Sequence, residues 1–78
     1  MFFNKKKRKI INIEGMTCEH CAKKVKDALE NLVDITNAKV DLKKKQAIVT
    51  YDNNVDEILL QETIEKLGYT VTGIKVAS

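Results

Sequence analysis

Apolar positions along the chain follow two periods, and the switches between them mark out six elements. Ile11 and Ile13 alternate with polar neighbours, which predicts a strand over Lys9 to Glu14, ended by Gly15. Ala22, Val25, Ala28, Leu29 and Leu32 then recur at spacings of three and four, while Lys23, Lys24, Lys26, Asp27 and Glu30 fill the opposite face. That spacing predicts a helix over Glu19 to Val33. Two strands follow, over Ala38 to Lys43 and Gln46 to Asp52. Val40 and Leu42 form one inward set, and Ala47, Val49 and Tyr51 the other. Lys43, Lys44 and Lys45 make the turn between them without a glycine, so its type stays open. A second helix is expected over Val55 to Leu67, with Asn54 as N-cap, Glu57 closing a capping-box-like arrangement and Gly68 as a left-handed stop. Tyr69 to Val76 reads as the last strand, with Gly73 at a bulge or fray point.

Strand, helix, strand, strand, helix, strand is the order of an α+β sandwich with both helices on one face of an antiparallel sheet. The right-handed crossover rule leaves the ferredoxin-like strand order 4-1-3-2, with the isoleucine-rich first strand central. In that topology the start of the last strand lies at the same end of the sheet as the end of the first. Tyr69 is therefore expected near the segment that follows Gly15.

With 78 residues there is room for one domain. An apolar share of 44% is enough for a packed core. No apolar run approaches the roughly 18 residues of a membrane span, and the basic start lacks both the apolar stretch and the cleavage site of an export signal. The expected location is the cytoplasm. The formal charge of +3 divides unevenly. Without Lys5, Lys6, Lys7, Arg8 and Lys9, nine basic residues face eleven acidic ones, a net of −2. Residues 1–8 are thus expected to be a flexible basic tail ahead of a domain over residues 9–78. The leading reading of that tail is a solubilising arm, with attraction to anionic lipid headgroups as an alternative. Nucleic-acid binding is not expected, because the first and third strands carry no aromatic residues for an exposed sheet face.

The candidate chemistry lies in Gly15-Met16-Thr17-Cys18-Glu19-His20-Cys21, at the junction of the first strand and first helix. Two cysteines in a reducing compartment point to metal or redox chemistry, and a bridge across two residues closes too short a loop to stabilise a fold much. Cys18 should lie in the loop and Cys21 in the first helical turn. There, unpartnered amides and the positive end of the helix dipole favour thiolate. Lys23 and Lys24 can balance the remaining charge. Two thiolates without obvious further ligands suit a soft ion with few donors, hence one Cu(I) per chain. A structural zinc site wants about four ligands, which this chain supplies only if two copies share the ion.

The run Ile11-Asn-Ile-Glu-Gly15-Met16-Thr-Cys18-Glu-His-Cys21, with Leu67-Gly68-Tyr69 near the end, resembles the heavy-metal-associated domain family. Within it, the resemblance is closest to the bacterial cytoplasmic copper chaperones, and it covers about Lys9 to Val71. It implies Cu(I) carriage on Cys18 and Cys21 and delivery to the metal-binding domain of a copper-exporting P-type ATPase. It also implies ligand exchange through a three-coordinate intermediate shared by two such domains. Met16 is implied to be a buried packing residue beneath the loop. Two features depart from the family pattern: Asp34 stands near the end of the first helix where glycine is common, and the basic tail has no counterpart.

Other readings of the same residues remain. His20 is either a solvent-facing residue or a third donor, the latter especially in a metal-bridged homodimer. Met16 as a thioether ligand competes with its role as core. Thr17 and Tyr69 are candidates for supporting the thiolates, Tyr69 by shielding them from water. Lys23, Lys24 and Lys26 form either a solvated helix face or a docking surface for an acidic partner. A copper-responsive repressor is a second candidate partner. The competing functions are an N-terminal metal-binding domain of a P-type ATPase, a Hg(II)-binding protein, and a thiol-disulfide oxidoreductase. The chain opens with Met and ends soon after the last strand, which favours a free-standing protein. No acid or base stands beside the cysteines to support redox turnover, so the expectation is a carrier and not an enzyme.

Overall fold

The computed structural model describes residues 7–52 and 54–77. It contains β1 (Lys7–Glu14), α1 (Glu19–Glu30), β2 (Ile35–Asp41), β3 (Gln46–Tyr51), α2 (Glu57–Glu65) and β4 (Thr70–Val76). All strand pairings are antiparallel, in the order β2-β3-β1-β4. This is the expected order read from the other edge. β1 is central, and its alternation sends Ile11 and Ile13 into a core completed by Ala47 and Val49 of β3, Val25 and Leu29 of α1, and Leu60 and Ile64 of α2. The outward positions of β1 and β3 are Arg8, Ile10 and Asn12, and Gln46, Ile48 and Thr50. None of these is aromatic.

Several boundaries differ from the expected ones, each for a local reason. β1 begins at Lys7, so Lys7 and Arg8 leave the expected tail and pair with Tyr51 and Thr50. Residues 1–6 of that tail lie outside the described residues. α1 stops at Glu30, three residues early, because a turn with bonds from Leu32 N–H to Leu29 C=O and Ile35 N–H to Leu32 C=O leads directly into β2. Leu32 still packs on the core, whereas Val33 is 98% exposed. Asn31 closes the helix in a right-handed conformation, and among the described residues only Lys45, Gly15 and Gly68 have positive φ. Asp34 therefore does not stand in for a left-handed glycine.

β2 starts at Ile35 instead of Ala38 and ends at Asp41 instead of Lys43. A register shift between Ile35 and Asn37 breaks its alternation, which disguised the first half of the strand. The Asp41 carboxylate accepts from the amides of Lys43 and Lys44 at 3.0 and 3.1 Å, and Lys45 takes φ +54 to close the hairpin. α2 is capped by Asp56, not Asn54: its side chain accepts from Ile58 N–H at 2.9 Å. Glu57 makes no capping box. It turns to Lys9 instead, 2.6 Å from the Nζ, which also lies 5.9 Å from the centre of the Tyr51 ring. Gly68, at φ +100, ends the helix region as expected. In β4, Gly73 sits opposite Asn12 and Val71 opposite Ile13, so the bulge residue is Thr72, beside the expected glycine.

Candidate metal site

The C-terminal end of β1 carries the site. Glu14 pairs with Thr70, and Ile13 N–H donates to Lys45 C=O at 2.9 Å, so the base of the cysteine loop is tied on both sides. Met16 then turns inward and is buried in the core beneath the loop. Cys18 occupies the N-cap of α1 in extended backbone with no side-chain capping bond, and its carbonyl accepts from Ala22 N–H. Cys18 is exposed and Cys21, in the first helical turn, is half-buried.

The two sulfur atoms are 3.8 Å apart. That is far beyond the roughly 2.05 Å of a disulfide. It is within the span of one ion making two metal–sulfur bonds of about 2.3 Å, the length usual for thiolate on zinc. Among the described residues no group of three or more His, Cys, Asp or Glu side chains converges as a metal cage. His20 is exposed at the second position of α1. The geometry brings two sulfurs together, an arrangement that suits a soft ion of low coordination number.

Electrostatics separate the two thiols. The Tyr69 hydroxyl lowers the Cys21 thiol most, and the Thr17 amide, the Cys18 side chain and the Cys18 amide add to its effect. Together they outweigh partial burial and hold the Cys21 thiol down at about 6 from an ordinary 9.0. Cys21 is therefore mostly thiolate at neutral pH. The same pairing raises the Tyr69 phenol, because its interaction with Cys21, then burial and the thiolate charge, all favour keeping its proton. Thr17 acts here through its backbone. Tyr69 arrives from the turn after Gly68, at the end of the sheet the topology required.

The three lysines part company. Lys23 and Lys24 are exposed on α1 near the cysteines. Lys26 is partly buried and bound to Glu30 at 2.9 Å, and Glu30 in turn accepts from Ala38 N–H on β2 at 3.1 Å. Sequence reasoning missed this bridge, as it missed the approach of the β2–β3 hairpin to the loop. The signal for the hairpin was available, since the turn after β2 must lie at the same sheet end as the close of β1.

Residues 10–70 match the heavy-metal-associated domain. The chain belongs to that family. Among curated relatives, this heavy-metal-associated protein is 48% identical over 64 residues to the copper chaperone CopZ of Staphylococcus haemolyticus, covering 81% of this chain and 94% of the relative. It is 40% identical over 65 residues to the CopZ of Staphylococcus aureus, covering 82% and 96%. Its fold superposes on a solved CopZ metallochaperone with a TM-score of 0.79 at 39% identity, covering 83% of this chain and 98% of that one. It also superposes on the N-terminal domain of a potential copper-translocating P-type ATPase from Bacillus subtilis, solved in its Cu(I)-loaded state. There the TM-score is 0.77 at 29% identity, covering 91% of this chain and 86% of that one. The curated CopZ relatives are copper chaperones, which traffic metal and catalyse no reaction. Among the described residues no helix is long and apolar enough to cross a membrane.

Proposed function

We propose that this protein is a cytoplasmic copper chaperone: it binds one Cu(I) through the thiolates of Cys18 and Cys21 and passes it to the metal-binding domain of a copper-exporting P-type ATPase. The observation that carries the reading is the pairing of an exposed thiol on an extended N-cap with a half-buried neighbour, 3.8 Å away, whose charge is supported by Tyr69 and two amides. A carrier needs this asymmetry. Cys21 offers a ready thiolate, and Cys18 lies open to an incoming acceptor thiol. Because the metal is cargo, an incomplete ligand set is an advantage, as a closed cage of four would resist transfer. The similarity to CopZ proteins and to a Cu(I)-loaded ATPase domain supports the choice of ion and of acceptor.

Lys23 and Lys24 are the docking residues in this reading, with Lys26 held back by Glu30. They would speed encounter with an acidic acceptor face without touching the ion. A second chain, with His20 as an added donor, and a copper-responsive repressor are further acceptors that the exposed Cys18 would admit. The test is an anaerobic titration against a Cu(I) chelator, expected to show one ion per chain. The doubly substituted Cys18→Ser, Cys21→Ser protein should lose that binding. Unchanged affinity in the variant removes the reading, and stronger binding of Hg(II) than Cu(I) in the same competition moves it to mercury.

The specific rival is an N-terminal domain of a P-type ATPase, favoured by the 0.77 TM-score to such a domain. Reading the gene beyond the codon for Ser78 decides it: a continuing frame with membrane spans would replace the chaperone reading.

A further inference from the structure

Gly15 follows the last residue of β1 and takes φ +106, a conformation that side chains other than glycine's rarely adopt. Conformation alone would make it a turn residue. Its surroundings say more. A methyl group built on Gly15 would meet Tyr69 Cδ1 at 3.3 Å, Tyr69 Cα at 3.8 Å and Tyr69 Cβ at 3.9 Å. All three nearest atoms belong to one residue. The β1–β4 register explains this, since Ile13 faces Val71 and Glu14 faces Thr70, so the next pair in line is Gly15 and Tyr69. The aromatic ring lies against the bare face of the glycine, and Tyr69 and Cys21 both pack on the core that holds Met16.

We propose that Gly15 is a positioning residue for the thiolate pair: its missing side chain is the seat on which the Tyr69 ring lies, and that seat holds the ring at the cysteine loop. The inference rests on the reading of Cys18 and Cys21 as the metal-binding pair. Any side chain at position 15 pointing toward β4 displaces the ring by a few tenths of an ångström or tips it out of the loop. A hydroxyl at the far end of a lever as long as tyrosine moves further than the ring root does. The expected consequence is a Cys21 that is less shielded from water and from competing thiols, so that the bound ion leaves faster.

The measurement is the rate of Cu(I) transfer from the loaded protein to excess bicinchoninic acid. Gly15→Ala is expected to speed release about tenfold, in the range typical for loss of a group that orients a ligand. Tyr69→Phe should change the rate in the same direction. In a Tyr69→Ala background there is no ring to displace, so adding Gly15→Ala should change the rate by less than about twofold. The same factor in both backgrounds overturns the proposal, because Gly15 would then act through its own backbone only. An unchanged rate in Gly15→Ala overturns it as well. If Gly15→Ala fails to fold, proton NMR of the unsubstituted protein decides. The Gly15 Hα resonances should be shifted by the Tyr69 ring current and show cross-relaxation with the ring protons, and absence of both overturns the proposal. A parent protein that never loads Cu(I) defeats the metal-site reading instead, which the initial titration detects separately.

Discussion

Cys21 can be followed through its proton. In the folded protein it gives up that proton near pH 6, whereas an unshifted thiol holds it to about 9. Between those values the unfolded chain binds more protons than the folded one, so apo-protein stability rises with pH from about 6 upward and is lost as pH falls through 6. Urea titrations across this range should show the rise, and Tyr69→Phe should flatten it. Alkylation of Cys21 should likewise follow a midpoint near 6, moving upward in the Tyr69→Phe protein. The cysteine motif was plain in the sequence because residue type and spacing carried it. What supports the thiolate was less legible. The expected support is first-turn amides with Lys23 and Lys24, whereas the groups that act on Cys21 are a phenol from the far end of the chain, the Cys18 side chain and the amides of Thr17 and Cys18, which precede the helix. Backbone donors leave no trace in side-chain chemistry, which is why Thr17 could be named but its mode of action could not.

Among the elements, α2 is held by two devices at its start. Asp56→Ala removes the bond to Ile58 N–H and should cost about 1 kcal/mol in chemical denaturation, the usual range for an N-cap. The Lys9–Glu57 pair is partly exposed on the Glu57 side, so Glu57→Gln should cost no more than about 1 kcal/mol by the same measurement. The β2 edge is protected differently. Glu30 reaches from α1 to the Ala38 amide, and Glu30→Ala should speed hydrogen exchange at Ala38 while leaving Val49 on β3 protected. The six elements and their order were legible because each has a clear apolar period, and topology followed from handedness. Boundaries failed where two signals overlapped. Leu32 and Val33 extended the helical spacing into a turn, and the shift at Thr36 placed Ile35, Ala38 and Val40 at spacings of three and two, which no single strand period fits. Asn54 and Asp56 are equally good caps on paper, and only the geometry of the chain entering α2 chose between them.

For the whole molecule the margin is thin. A chain of this size has a stability of roughly 4–12 kcal/mol at typical values per residue. Leu29 is fully buried between α1 and the sheet, and Leu29→Ala should remove about 2–5 kcal/mol. Calorimetry of the apo-protein should show a much lower Tm. Saturating Cu(I) should recover part of the loss, since an ion bound only by the folded form adds stability as its concentration exceeds the dissociation constant. With Cys18 and Cys21 both changed to Ser, that recovery should vanish.

The seam between β1 and β4 divides the site by durability. Cys18 and Cys21 descend from the central strand, bonded on both flanks, while Tyr69 heads a strand with one free edge. Edge strands fray at lower free energy than central ones. Mild heat or dilute denaturant should therefore lift Tyr69 away while the thiols keep their places, and a loaded chain should begin to leak its ion before it begins to melt.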